Sequence, residues 1–197
     1  MEIIFATKNT GKLKEIALVM KEAGIELISM AEAGMDIDIP EVGETFMENA
    51  LTKAETIAKI SKRPAMADDS GLEIDYMDKL PGVHSALYLG VDTPYSIRNK
   101  KILDMLKDVP FDKRTARFVC VMAYVSPEGK VLTAEASMDG YIAYEEKGEN
   151  GFGYDPIFFL PEYNMTSAEL TTDEKNKISH RGKALRLILE KIILNLS

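Results

Sequence analysis

Met66-Ala67-Asp68-Asp69-Ser70-Gly71-Leu72 sets two adjacent carboxylates, a hydroxyl and a glycine directly after a short apolar run. With Pro64–Ala67 read as the end of a strand, the acids emerge where the strand stops and a loop begins. In open α/β sheets, strand ends and the loops after them line the ligand crevice. Carboxylates at that point are hard oxygen ligands for Mg²⁺, and one of them can take a proton from water. Asp, Ser and Gly all favour turns, so the stretch also reads as a plain turn. The remainder of the chain decides between the two.

Upstream, Glu2–Ala6 has the character of a short buried strand, broken at Thr7-Lys8-Asn9-Thr10-Gly11-Lys12. Leu13, Ile16, Ala17, Met20 and Ala23 then recur at helical spacing until Gly24. A helix start after such a loop offers unpaired N–H groups and partial positive charge to a phosphate, and Lys8 and Lys12 add full charges. The loop has neither the Walker A nor the G-x-G-x-x-G spacing, and a capped helix start with solvated lysines is the competing reading. Ile25–Ser29 follows as a second strand. Glu44 to about Ile60 forms an amphipathic helix with Phe46, Ala50, Leu51, Ala54, Ile57 and Ala58 inward. By default its Glu48, Asn49 and Lys53 are a solvated face and Glu41 is a surface acid, unless a cleft beside Asp68-Asp69 recruits that edge.

Downstream, Leu72–Ile74 reads as a short strand, Asp92–Leu106 as a helix, and Arg114–Ser126 and Lys130–Tyr144 as two long strands. Gly148-Glu149-Asn150-Gly151-Phe152-Gly153-Tyr154-Asp155 allows backbone to approach a flat ligand while a ring stacks on it. The same loop can equally be a hairpin whose aromatics cap the core. The segment 171–183 gathers Lys175, Lys177, His180, Arg181 and Lys183 ahead of a final helix, a local attraction for polyphosphate or a solvated charged surface.

A net charge of −8 over 197 residues excludes general affinity for nucleic-acid polymers, which needs a basic footprint. The lone cysteine, Cys120, cannot form an internal disulfide; it lies in the apolar run Phe118–Val125 as a core residue of a protein kept in a reducing cytosol. No run approaches the ~18 apolar residues of a membrane span. A single cytoplasmic domain over residues 1–197 is expected. Carboxylates, Mg²⁺ and lysines together form the parts of phosphoryl or nucleotidyl chemistry, and the absence of G-x-S-x-G speaks against an acyl intermediate.

Six segments in this order resemble the noncanonical purine nucleoside triphosphate pyrophosphatases, the inosine triphosphate pyrophosphatase family. They are residues 5–16 (FATKNTGKLKEI), 43–50 (GETFMENA), 67–72 (ADDSGL), 80–86 (LPGVHSA), 151–158 (GFGYDPIF) and 174–182 (EKNKISHRG). The resemblance implies an elongated, two-lobed α/β fold with a long mixed sheet, a cleft between the lobes, and a homodimer. It implies Mg²⁺-dependent hydrolysis of ITP, dITP and XTP to the monophosphate and pyrophosphate, which clears deaminated purines from the nucleotide pool. The alternatives are a pyrophosphatase for other modified nucleotides and a non-catalytic nucleotide sensor.

Carried over by position, the resemblance makes Asp69 the catalytic residue and Glu41, Asp68 and Asp69 the metal ligands. The substrate residues it implies are Thr7, Lys8, Asn9, Thr10, Gly11, Lys12, Lys53 and Ser70, then Phe152, Gly153, Tyr154 and Asp155, then Lys175, Ser179, His180 and Arg181. Selection against ATP would come from hydrogen-bond donors facing the purine 6-oxo group.

Overall fold

Ile3, Ile4 and Phe5 are fully buried because their strand is covered on both faces. The computed structural model describes residues 1–196, the last by its backbone alone. The strands are Glu2–Phe5 (β1), Glu26–Ser29 (β2), Ala65–Ile74 (β3), Thr115–Val125 (β4), Val131–Ile142 (β5), Phe158–Leu160 (β6) and Met165–Thr166 (β7). The helices are Thr10–Glu22 (α1), Phe46–Ser61 (α2), Tyr95–Met105 (α3), Thr172–Ile178 (α4) and His180–Leu196 (α5). Among the described residues the strands form one sheet in the order β2-β1-β3-β4-β5-β6-β7. β1 runs parallel to β2 and β3, while β5–β6 and β6–β7 are antiparallel. The chain therefore has the mixed α/β sheet that the sequence leads one to expect.

Contacts divide the chain into two compact units. One comprises Met1–Ser70, Cys120–Ala136 and the chain from His180 onward; the other comprises Gly71–Val119 and Ser137–Ser179. In the first unit the period of two along each strand separates two cores. Ile3, Phe5, Met66, Cys120 and Met122 share a cluster with Ile16 and Met20 of α1 and Leu185 and Ile188 of α5. Ile4, Ala65, Ala67, Val121 and Ala123 share the other with Ala50, Ala54, Ile57 and Ala58 of α2. Alanines from α2 and from the strands together fill much of that second layer. A capping box fixes its start, with the Thr45 side chain accepting from the Glu48 N–H and Glu48 reaching back to the Thr45 N–H.

The strand that opened the reading does not stop at Ala67. β3 continues through Asp68, Asp69, Ser70 and Gly71 to Ile74, so the expected loop or turn is strand. Turn propensity loses here because Asp68 and Asp69, exposed by 1% and 4%, each meet a cation on their own face. Asn49 and Lys53 also differ from the solvated default and are buried. The basic terminal segment is two helices, α4 capped at Thr171 by Glu174 and α5 restarting after Ser179.

In the second unit, Leu72 and Ile74 of β3, Phe118 of β4, Met138 and Ile142 of β5 and Phe158 of β6 form one cluster with Ile102 of α3. Arg114, fully buried, donates to the carbonyls of Leu106, Ile142 and Ala143. α3 begins at Tyr95 rather than Asp92, with Pro94 at its cap position.

The alanine layer gives a direct test. Ala54→Leu overfills a position that has no exposed surface and should destabilise the protein by about 1–3 kcal/mol. Urea unfolding of the variant beside the exposed-site control Glu55→Leu checks this; equal midpoints would reject the packing of that layer.

Candidate active site

Adjacent strand residues point to opposite faces, so β3 sends its two carboxylates into different surroundings. Asp68 lies on the side of α1 and α5. Lys12 Nζ is 3.1 Å from Asp68 Oδ1 and 3.0 Å from Oδ2, and Arg181 Nε donates to Oδ2 at 3.2 Å. The remaining donors of Arg181 reach Glu15 and, at 2.8 Å, the Ser70 hydroxyl. Burial would raise the Asp68 carboxyl, but Lys12, Arg181 and Lys53 outweigh it and hold Asp68 far below the usual carboxylate range. Burial likewise works against the Arg181 charge, and Asp68 and Glu15 more than restore it. A buried charge needs such partners, since an unpaired one is strongly destabilising.

Asp69 lies on the α2 side. Asn49 Nδ2 donates to its Oδ2 at 2.9 Å, the Ser70 N–H donates to Oδ1 at 3.0 Å, and Lys53 Nζ stands 3.8 Å from Oδ1. The same ammonium pairs with Glu41 Oε1. Burial pushes the Asp69 carboxyl up to about 6; Glu41 adds to the rise, while Lys53, Lys12 and the Asn49 hydrogen bond pull against it. Lys53 stays charged despite burial because Asp69, Asp68 and Glu41 surround it. Two neighbouring acids thus differ sharply in proton affinity, one a fixed anion and the other near neutrality, the pattern that assigns acid–base roles.

The strand-to-helix segment is folded more tightly than a loop. Asn9 caps α1, its Oδ1 accepting from the Lys12 N–H at 3.1 Å, and Thr7 Oγ1 accepts from the Asn9 N–H at 3.2 Å. Thr10, Gly11 and Lys12 form the first helical turn. Lys8 points to solvent and bridges Asp36 at 3.0 Å and Asp38 at 3.2 Å. Thr7, Lys8, Asp38, Glu41 and Lys53 line one open pocket.

The second unit gathers another part of the expected set. Lys175 Nζ, buried, is 2.6 Å from Asp155 Oδ2, which also accepts the Phe152 N–H at 2.8 Å. The ammonium lies 5.1 Å from the centre of the half-buried Phe152 ring. Gly151, at φ +72°, could not carry a side chain, since a Cβ would fall 2.2 Å from Asp155 Oδ2. Tyr154 belongs to the core: its hydroxyl donates to the Ser85 carbonyl at 2.8 Å and its ring meets Tyr95 edge-on. Asn99 Nδ2 donates to the Gly153 carbonyl at 3.2 Å. Ser179, its N–H donating to the Lys175 carbonyl, ends α4 and the second unit; His180 opens α5 in the first unit, and both are buried.

Asp68, expected beside Glu41 and Asp69 as a metal ligand, gives its oxygens to Lys12, Arg181 and Ser70 instead. Among the described residues no three His, Cys, Asp or Glu side chains converge as a metal cage. Cys120 is buried, and burial raises its thiol well above the usual range, as suits a core residue. Glu15 escaped the sequence reading, and Asn49 entered it only as part of a helix edge that a cleft beside Asp68-Asp69 could recruit. Glu15 stands three after Lys12 and Asn49 four before Lys53, so helical spacing from the two lysines could have found both.

The model of the Ham1 family matches residues 3–191. Over 195 residues the chain is 47% identical to the dITP/XTP pyrophosphatase of Desulforamulus reducens, covering 99% of this chain and 96% of that protein. It is 43% identical over 193 residues to the dITP/XTP pyrophosphatase of Escherichia coli K12, covering 97% of this chain and 98% of that one. The solved structure of a HAM1 protein from Coxiella burnetii superposes with a TM-score of 0.87 at 40% identity, over the whole of both chains. No helix among the described residues is long and apolar enough to cross a membrane.

The contrast between the aspartates is measurable. The native pKa of Asp69 lies above its ordinary 3.8, so its contribution to stability is present at low pH and lost as pH rises through about 6. Asp68 behaves in the opposite sense in parent and variant alike and cancels from their difference. In EDTA-containing buffer, Asp69→Asn should therefore gain stability relative to the parent between about pH 4 and 7, by up to about 3 kcal/mol. Urea unfolding of both proteins across that range reads it, and a difference independent of pH would reject the assignment.

Proposed function

Because the chain belongs to the Ham1 family, we propose that it hydrolyses ITP, dITP and XTP to the nucleoside monophosphate and pyrophosphate. The reading includes Mg²⁺ as cofactor and a cytoplasmic homodimer that acts on free nucleotides. The observation that carries it is the Asp68–Asp69 pair, one acid locked as an anion among Lys12 and Arg181, the other near neutrality beside Lys53 and Glu41.

The residues present fit Mg²⁺. Glu41 and Asp69 both face one ammonium, that of Lys53, so two carboxylates already converge on a single cation position. Mg²⁺ takes one or two carboxylates and completes its shell with water and substrate phosphate. When bound, it would offset the charge of the triphosphate and polarise the phosphoanhydride. Asp68 is left out of this set by its own cations.

Asp69, poised near neutrality, removes a proton from the attacking water; oxygen bonds to the α-phosphorus as the α–β bridge breaks and pyrophosphate leaves. Lys53 and Lys12 lie beside the two aspartates and steady negative charge on the phosphates, the electrostatic role that dominates this chemistry. The Asp68–Arg181 pair keeps Lys12 and Ser70 in place. In the second unit, the Phe152 ring with the Lys175 ammonium against it suits stacking by a purine. Discrimination between inosine and adenosine nucleotides needs a donor toward purine position 6, where ATP presents its own donor; a site so built rejects the wrong partner by ~10⁴-fold or more.

The experiment is pyrophosphate release from ITP, dITP, XTP, GTP, ATP and dUTP, each with and without Mg²⁺. Release confined to the first three and dependent on Mg²⁺ is expected. Turnover of dUTP alone would keep the chemistry and overturn the base assignment, and binding without release would make the protein a sensor. Asp69→Asn should lower kcat by about 10²-fold or more while binding persists; near-normal turnover in that variant would remove Asp69 from its role.

A further inference from the structure

Asn49 is buried on α2, and both ends of its amide are engaged. Nδ2 donates to Asp69 Oδ2 at 2.9 Å, and Oδ1 accepts the Gly43 N–H at 2.8 Å. The two partners fix the orientation of the amide, since a flipped side chain would set oxygen against carboxylate and NH₂ against N–H. With Oδ2 held, Asp69 turns Oδ1 toward Lys53. Gly43 lies two residues after Glu41, so one amide ties the Glu41 segment to the catalytic carboxylate.

The backbone is shaped for this contact. A Cβ on Gly43 would come within 2.7 Å of Asn49 Oδ1 and 2.8 Å of Glu48 Cβ. The glycine is required because the Asn49 carbonyl must come that close to reach the Gly43 N–H. The hydrogen bonds of the Asn49 amide run to Asp69 and Gly43, and neither partner is a lysine.

We infer that Asn49, seated by Gly43, is a positioning residue that sets the orientation of Asp69 and so controls turnover rather than substrate binding. The inference rests on the reading of Asp69 as the base. Its effect comes through geometry, where misplacing a reacting group by an ångström removes about 10²-fold in rate.

The test is steady-state hydrolysis of dITP with Mg²⁺ by the parent, Asn49→Ala, Asn49→Asp, Gly43→Ala, Asp69→Asn and the double variant Asn49→Ala with Asp69→Asn. Asn49→Asp keeps the volume and the acceptor for Gly43 but sets a carboxylate and its charge against Asp69 in place of the donor, so parent-like turnover in it decides against the inference even where the alanine variant fails to fold. Each of the three single variants at positions 49 and 43 should lose about 10- to 100-fold in kcat with KM nearly unchanged. In the Asp69→Asn background, Asn49→Ala should add almost nothing, because the group it orients is already disabled. Parent-like kcat in Asn49→Asp, a rise in KM in place of the fall in kcat, or the same fold-loss in both backgrounds would overturn the inference. A parent that releases no pyrophosphate from dITP would overturn the underlying reading and this one with it; a parent active on dITP isolates the role of Asn49.

Discussion

The two-residue period of a β-strand governs the chemistry of this protein. Because β3 does not break at Asp68-Asp69, neighbouring carboxylates a single peptide apart look into different layers of the first unit. Each layer brings its own helices and its own cations. Lys12 and Arg181 arrive from α1 and α5 on one side, Asn49 and Lys53 from α2 on the other. A loop at the same position would have let both acids relax toward solvent and toward ordinary proton affinities.

Burial acts on both aspartates in the same direction, and the partners decide the outcome. Asp68 has two cations in direct contact, one of them a guanidinium also anchored by Glu15. Asp69 has one ammonium at 3.8 Å, shared with Glu41, so attraction there does not cancel desolvation. The same logic explains why the buried Lys53 keeps its proton among three carboxylates. In the second unit, Lys175 and Asp155 satisfy each other directly, and the Phe152 backbone N–H joins them.

Periodicity in the sequence located β1, α1, α2 and the long strands β4 and β5, because apolar spacing reports burial directly. It misjudged β3, where Asp, Ser and Gly signal a turn in isolation; the cations that make a strand tolerable there lie 56 and 113 residues away. It left Asn49 and Lys53 between water and a cleft beside Asp68-Asp69, since a polar residue beside an apolar stripe carries no mark of the buried acid it will meet, and the structure has the second. Lys8, expected to bring charge to a phosphate loop, pairs with Asp36 and Asp38 while lining the pocket that holds Glu41 and Lys53. The ordered segments that resemble a family supplied the chemistry, but not the side of the sheet on which each residue would act.

Arg181 stands in the first turn of α5, near the end of the chain, while Asp68 belongs to its first half. During synthesis, β3 and α1 are made long before the guanidinium that completes the Asp68 pair, and α5 also supplies Ala184, Leu185 and Ile188 to the adjoining core. A nascent chain therefore carries an anion facing an unfinished apolar layer, with Lys12 as its paired cation and the Ser70 hydroxyl beside it. α5 both closes that core and neutralises the charge in one event, which makes its synthesis the step that commits the first unit to its folded state.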